Sequence, residues 1–322
     1  MHSENPPPTP LPLRAALAGL EPYGAPQLDV PVLLNVNENP YAPSDGVVSS
    51  IADAVTAAAR GLHRYPDRDF LDLRTDLAAY LLRESGVTLA PGQLWAANGS
   101  NEVMLHLLQA FGGPGRTALS FAPTYSMYPE YARDTSTTWV AGRRADDFSL
   151  DVTHAAAMVA EHAPSVVLLA SPNNPTGTAL PTTTVLAVLD AAARVPGGCV
   201  VVVDEAYAEF RRAGTPSALE LLADHPHLAV SRTMSKAFGM AGARIGYLAA
   251  APALVDALRV VRLPYHLSAV TQAVGRAALA HATELMAQVG GLRETRDETV
   301  AWLRERGLTV ADSDANFVLF GL

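Results

Sequence analysis

Short apolar runs alternate with helical or loop-like stretches through the middle of this chain. Leu94 to Ala97, Arg116 to Phe121, Val166 to Ala170, Val200 to Asp204, Leu228 to Arg232 and Ile245 to Ala249 have the length of buried strands. Such alternation predicts an α/β fold whose central sheet is mostly parallel and covered by helices on both faces. Upstream, Val47, Ile51, Val55 and Ala58 recur at helical spacing within Gly46 to Arg60, and Phe70, Leu73, Leu77 and Leu81 do so in a second helix. Between them HRYPDRD, residues 63–69, reads as a polar turn presenting Tyr65. The segment from Leu33 to Pro43, with its Asn, Glu and prolines, reads as an extended arm. From about Pro264 the pattern changes to long helices, the second near Glu284 to Arg306, followed by a strand-like ANFVLF at 315–320. This predicts a tail and arm over 1–45, a large domain over 46–265, and part of a smaller α/β domain over 266–322.

In parallel α/β sheets ligands bind beyond the carboxyl ends of the strands. Here those ends run into NGSNE after Ala97, SPNNPTG after Ala170, DEAY from Asp204, and SRTMSK from Ser231. Four polar loops leaving one edge predict a ligand site there.

Composition narrows the chemistry. Among 23 Lys and Arg side chains Lys236 is the only lysine. A guanidinium stays protonated, whereas an amine can attack an aldehyde to form a Schiff base. A lone lysine could equally sit idle on the surface, so the neighbouring motifs must decide. The net charge of -9 opposes a general affinity for nucleic acid or anionic membrane. No apolar stretch reaches membrane-spanning length. The N-terminus, MHSENPPPTPLP, lacks the basic and apolar regions of a signal peptide, and its prolines suggest a loose tail. The single cysteine, Cys199, lies in the apolar run CVVVV and reads as a buried strand residue, so no disulfide framework exists and a reducing cytoplasm fits. His63, His106 and His266 have no metal-ligand spacing and read as structural or surface residues, and no metal is expected. GGPGRT at 112–117 lacks the lysine and full spacing of a phosphate loop and reads as a turn.

Pyridoxal 5'-phosphate makes five demands, and each has a candidate. Lys236 offers the amine and later a proton-moving base. Asp204, ending a buried run, offers a carboxylate to keep the pyridine nitrogen protonated. Asn174 and Tyr207 can donate to the phenolic oxygen, and Tyr125 can stack on the ring. For the phosphate, Gly99, Ser100 and Asn101 open a helix with free backbone N–H groups, while Thr233, Ser235 and Arg244 border the same site with hydroxyls and a guanidinium.

NGSNE, SPNNPTG, DEAYAEF, SRTMSKAFGMAGARIGY and LPYHLS, in that order, resemble the class II aminotransferases of the fold type I pyridoxal-phosphate superfamily. The resemblance runs from about Tyr23 almost to the end. LNVNENPYAP, RYPD and LPYHLS narrow it to the histidinol-phosphate branch. It implies homodimers with shared active sites, Tyr65 reaching the neighbouring subunit's cofactor phosphate, Tyr265 crossing towards substrate, and Tyr23 and Asn37 lining the substrate entrance. It also implies a ping-pong exchange between L-histidinol phosphate and 2-oxoglutarate, yielding imidazole acetol phosphate and glutamate in histidine biosynthesis. An aromatic amino acid aminotransferase, a threonine-phosphate decarboxylase-like enzyme and a non-catalytic sensor domain remain alternatives. The family continues beyond ANFVLF into a segment bearing the substrate-binding arginines. Because losing it would expose apolar surface, the expectation is that the protein extends past Leu322.

Overall fold

A computed structural model describes residues 11–321. The proline-rich first ten residues, expected to be a loose tail, lie outside it. Two compact units are distinguished, with a boundary between Val36 and Asn37. Residues 11–36 hold one short helical turn at Ala15–Leu17 and are otherwise irregular, with Tyr23, Val32 and Leu34 exposed.

The second unit is organised by a seven-stranded sheet. Its strands are β1 (Leu94–Ala97), β2 (Thr117–Ala122), β3 (Thr138–Arg143), β4 (Val166–Ala170), β5 (Val200–Asp204), β6 (Leu228–Thr233) and β7 (Gly246–Ala250). Their order across the sheet is β1-β7-β6-β5-β4-β2-β3. Only β7 runs against its two neighbours, so β1, β4, β5 and β6 all point the same way and their four polar loops emerge at one edge, as expected. The strands β4, β5 and β6 are buried along their whole length, which is why VVLLA and VVVVD carry no polar alternation before Asp204.

Strand boundaries fall within one residue of those read from the apolar runs, with one omission. The edge strand β3, TWVAGR, is mostly exposed or half-buried and so shows no continuous apolar run. Helices α1 (Asp45–Ala59) and α2 (Leu71–Ser85) follow the apolar spacing. Ser44 caps α1 by accepting from the Val47 amide at 3.3 Å, and Gly86 ends α2 at φ 73°, a conformation that glycine adopts without strain. Phe70 does not join α2. It sits left-handed at φ 40° just before it, with its ring buried.

Four helices alternate with the strands: α3 (Ser100–Phe111), α4 (Tyr128–Asp134), α5 (Val152–His162) and α6 (Thr182–Ala192). After the sheet come α7 (Pro252–Val261), α8 (Ala269–Ala280) and α9 (Ala282–Glu305). The expected strand at 315–320 is mostly absent: only β9 (Phe320–Gly321) pairs, antiparallel with β8 (Thr309–Val310). Ser313 explains this, because its hydroxyl donates to the Phe317 carbonyl at 2.5 Å and accepts the Ala315 amide at 3.1 Å, closing a local turn that competes with extension. Val300, Leu303 and Val310 form a small apolar cluster apart from the main core. Cys199 is buried, and burial pushes its thiol up to about 12, in keeping with an inert core residue.

Candidate active site

Asp204 ends β5 with its carboxylate buried. The Tyr128 hydroxyl donates to Oδ2 at 2.9 Å, while Oδ1 is buried with no hydrogen-bond partner among the described residues. Removal from water pushes this carboxyl up to about 6, against the lowering effects of the Tyr128 bond and of the nearby Ala206 backbone amide, which does not reach hydrogen-bond geometry with Oδ1. An unpartnered buried acceptor costs free energy unless something donates to it. A protonated pyridine nitrogen is such a donor.

The next loops place further donors beside it. Tyr207 is buried, and its hydroxyl oxygen accepts from the side-chain amides of Asn174 and Asn37, each at 3.4 Å. With both N–H groups directed at its oxygen, Tyr207 keeps its own proton to donate, and burial pushes its pKa up to about 12. Asn37 stands at φ 54°, and its carbonyl accepts from the Asn316 side chain at 3.1 Å. Phe317 meets the Tyr207 ring edge-on at 5.2 Å. Residues near the end of the described chain therefore buttress the site, which the expectation of a strand there did not suggest.

Lys236 follows β6 in a half-buried position. Its amine is lowered to about 8, chiefly by burial, with the Arg244 charge lowering it further and Glu38 opposing. A substantial share is thus neutral near physiological pH, the state an attacking amine needs. Glu38 is an addition from structure, since nothing in the spacing of LNVNENP pairs it with Lys236.

Gly99, Ser100, Arg244 and Gly246 close the other side. Gly99 precedes α3 at φ 83°, and a Cβ there would lie 2.5 Å from Arg244 Nη2. Gly246 lets β7 pass against the backbone of Gly99 and Ser100, where any Cβ would collide with the Ser100 amide nitrogen. The result is a helix N-terminus with a guanidinium laid against it, a cradle for an anion. Asn98 secures the loop: its backbone and side-chain N–H groups donate to Glu102 Oε2 at 2.6 and 2.8 Å, and the side chain also donates to the His266 carbonyl at 2.8 Å. Asn101 lies in the first turn of α3. Thr233 Oγ1 accepts the Ser235 amide at 3.1 Å, shaping the turn into Lys236.

Tyr125 lies half-buried with its ring perpendicular to Tyr128 at 5.6 Å. Tyr65 and Tyr265 stack on one another at 4.4 Å, with Tyr65 largely exposed. Tyr23 belongs to the 11–36 unit and is also exposed. His106 is buried and His266 half-buried beside Trp95: Trp95 Nε1 donates to His106 Nδ1 at 3.2 Å, and the His266 ring stacks on the indole.

Behind the site lies a buried charge cluster that the apolar reading of β6 passed over. Arg232 donates to Glu205 Oε2 through Nε and Nη2 at 3.0 and 2.8 Å and to Glu84 Oε2 at 2.7 Å. Arg211 adds a pair with Glu84 at 3.2 Å. Glu205 adjoins Asp204 and Arg232 precedes Thr233, so the cluster ties together the ends of β5 and β6 that carry the site.

Comparison with known proteins agrees with this geometry. The family described as aminotransferase class I and II matches residues 30–322. A histidinol-phosphate aminotransferase 3 of Burkholderia lata is 61% identical over 311 residues, covering 97% of this chain and 83% of that protein. A histidinol-phosphate aminotransferase of Bifidobacterium longum is 58% identical, covering 98% of this chain and 84% of that one. Among solved structures, a histidinol-phosphate aminotransferase from Sinorhizobium meliloti in complex with pyridoxal-5'-phosphate superposes with a TM-score of 0.77 at 27% identity, covering 88% of this chain and 74% of that chain. With its fold, its buried acceptor and its amine at the shared edge of the sheet, this chain belongs to the class I and II aminotransferases.

Proposed function

We propose that this chain is a pyridoxal-phosphate-dependent aminotransferase exchanging the amino group of L-histidinol phosphate with 2-oxoglutarate, a step of histidine biosynthesis. The observation that carries the reading is the buried, unpartnered Oδ1 of Asp204 at the strand edge of a chain 61% identical to a histidinol-phosphate aminotransferase.

The residues present fit the cofactor, since an orphaned acceptor and a cradle that a Cβ would fill both lie at the same edge of the sheet. Pyridoxal phosphate, when bound, supplies an aldehyde that takes the amino group and a pyridinium ring that withdraws electrons from the carbon losing its proton. Asp204 Oδ1 would accept the pyridine N–H. Tyr207 and Asn174 would donate to the phenolic oxygen, and Tyr125 would lie on the ring face. Gly99, Ser100, Asn101, Thr233, Ser235 and Arg244 would hold the phosphate by backbone N–H groups, hydroxyls and charge. Lys236 would bond the aldehyde and, once displaced by substrate, carry a proton at its amine between substrate and cofactor carbons.

The homodimer belongs to the same proposal. Tyr65 and Tyr265 form one outward-facing stack amid exposed Leu62, Val260 and Leu263, an apolar surface suited to a second copy. Both tyrosines would then enter one neighbouring site, with Asn37 at the substrate entrance. The proposed smaller domain over 266–322 has a cluster of its own only at Val300, Leu303 and Val310, whereas Ala278, Leu279, Leu285 and Val289 pack into the main core. A single, buried cysteine supports a reducing, cytoplasmic location. Among the described residues no helix is long and apolar enough to cross a membrane.

The test is the half-reaction. Purified protein loaded with pyridoxal phosphate is mixed separately with histidinol phosphate, phenylalanine and glutamate, and the cofactor absorbance is followed. Histidinol phosphate and glutamate are expected to discharge it rapidly; a fast phenylalanine reaction with none from histidinol phosphate would overturn the substrate assignment.

A further inference from the structure

Asp204 could present either carboxylate oxygen to a ligand if its side chain were free to turn. It is not free, because the Tyr128 hydroxyl donates to Oδ2 at 2.9 Å. Tyr128 is itself fully buried at the start of α4, where its ring cannot swing away, and it meets Tyr125 edge-on at 5.6 Å. The Tyr128 amide also donates to the Tyr125 carbonyl at 3.2 Å, so both tyrosines belong to one tight turn after β2. Arg144, held by the carbonyls of Phe121, Phe148 and Ala170, adds a fixed positive charge near Tyr128. On the other side, Glu205 bonds to Arg232 and Ser217, so it does not compete for Asp204.

We propose that Tyr128 is a positioning residue for the cofactor's pyridine nitrogen: its bond to Asp204 Oδ2 locks the carboxylate with Oδ1 as the one acceptor left for the ring. This rests on Asp204 being the pyridine partner. The same turn carries Tyr125, so the ring's electronic partner and its stacking partner are set by one short segment. Loss of the Tyr128 hydroxyl leaves Oδ2 buried and unsatisfied, and a carboxylate so placed either turns or takes up a proton. In both cases its hold on the pyridine proton weakens, although no atom touching the cofactor has been removed.

Tyr128→Phe deletes one oxygen and keeps the ring volume. Cofactor-free wild type, Y128F, D204N and the double variant are titrated with pyridoxal phosphate, and the dissociation constant is read from tryptophan fluorescence. Y128F should bind about tenfold more weakly than wild type, the size expected for one lost bond to a charged group. The double variant should bind no more weakly than D204N, because Tyr128 acts only through the carboxylate. If the stranded carboxylate prevents Y128F from folding, the comparison of D204N with the double variant still decides. Wild-type affinity in Y128F, or a double variant clearly weaker than D204N, overturns the role of Tyr128 while leaving Asp204 in place. Wild-type affinity in D204N overturns the Asp204 reading itself, and the inference with it.

Discussion

Replacing Asp204 with Asn should make the cofactor-free protein more stable while weakening its hold on the cofactor. Asp204 is ionised at neutral pH although it is buried with Oδ1 unpartnered, and its pKa rises from 3.8 to about 6. Roughly two units at about 1.4 kcal/mol each put the cost of that ionisation near 3 kcal/mol. A group whose folded pKa is raised contributes stability below its unfolded value and loses it as pH rises through the folded value. The penalty is therefore full at about pH 8 and smaller by roughly half at about pH 5, where most folded molecules have Asp204 protonated. Asn carries no charge and can still accept from Tyr128, so D204N escapes the ionisation cost and keeps only the smaller cost of burying a neutral amide. Urea unfolding of both cofactor-free proteins at the two pH values measures the difference. D204N should be more stable by about 2–3 kcal/mol at the higher pH, with a gap that narrows at the lower one. Adding pyridoxal phosphate should reverse the order at the higher pH, since the wild-type carboxylate gains its partner. A D204N protein less stable than wild type without cofactor at about pH 8 would refute the claim that this carboxylate is strained until a ligand meets it.

Gly246→Ala should weaken cofactor binding with wild-type chemistry at Lys236, because its Cβ collides with the backbone of Gly99 and Ser100 and must push the phosphate cradle aside; a phosphate titration by calorimetry, and an overpacking loss of about 1–3 kcal/mol in urea, check it. Arg232→Met strips the bonds to Glu205 and Glu84 and leaves the buried Glu205 carboxylate without its guanidinium, at a cost of about 3–5 kcal/mol. Urea unfolding measures it, and a loss under about 1 kcal/mol would contradict the cluster's role. The rate at which Lys236 captures added pyridoxal phosphate should rise as pH passes through about 8, where its amine loses its proton, and stopped-flow absorbance reads that profile.

Much of the architecture was legible because its strands are buried on both faces. VVLLA and VVVVD carry no polar alternation, so their runs mark β4 and β5 within a residue. The exposed edge strand β3 lacked that signal, and ANFVLF misled because Ser313 ties Phe317 into a turn. Among candidate residues, Asn174 and Tyr207, from separate loops, are brought into hydrogen-bond contact. Tyr128 and Glu38 were not singled out, since a tyrosine in YSMYP and an acid in NENP look like many others until folding places them beside Asp204 and Lys236.

The sequence by itself determined the kinds of chemistry available and the edge of the sheet where they would gather. One lysine among arginines, one aspartate closing an apolar run, and glycines before a helix are chemical facts that survive without coordinates. Tertiary structure alone decided which atoms remain unsatisfied. The pairing of Asp204 Oδ2 but not Oδ1, the partial desolvation of Lys236, and the contact of Gly246 with Ser100 each depend on packing between segments far apart in the chain. Burial and hydrogen-bond pairing are properties of neighbours in space, and residue order carries no direct record of them.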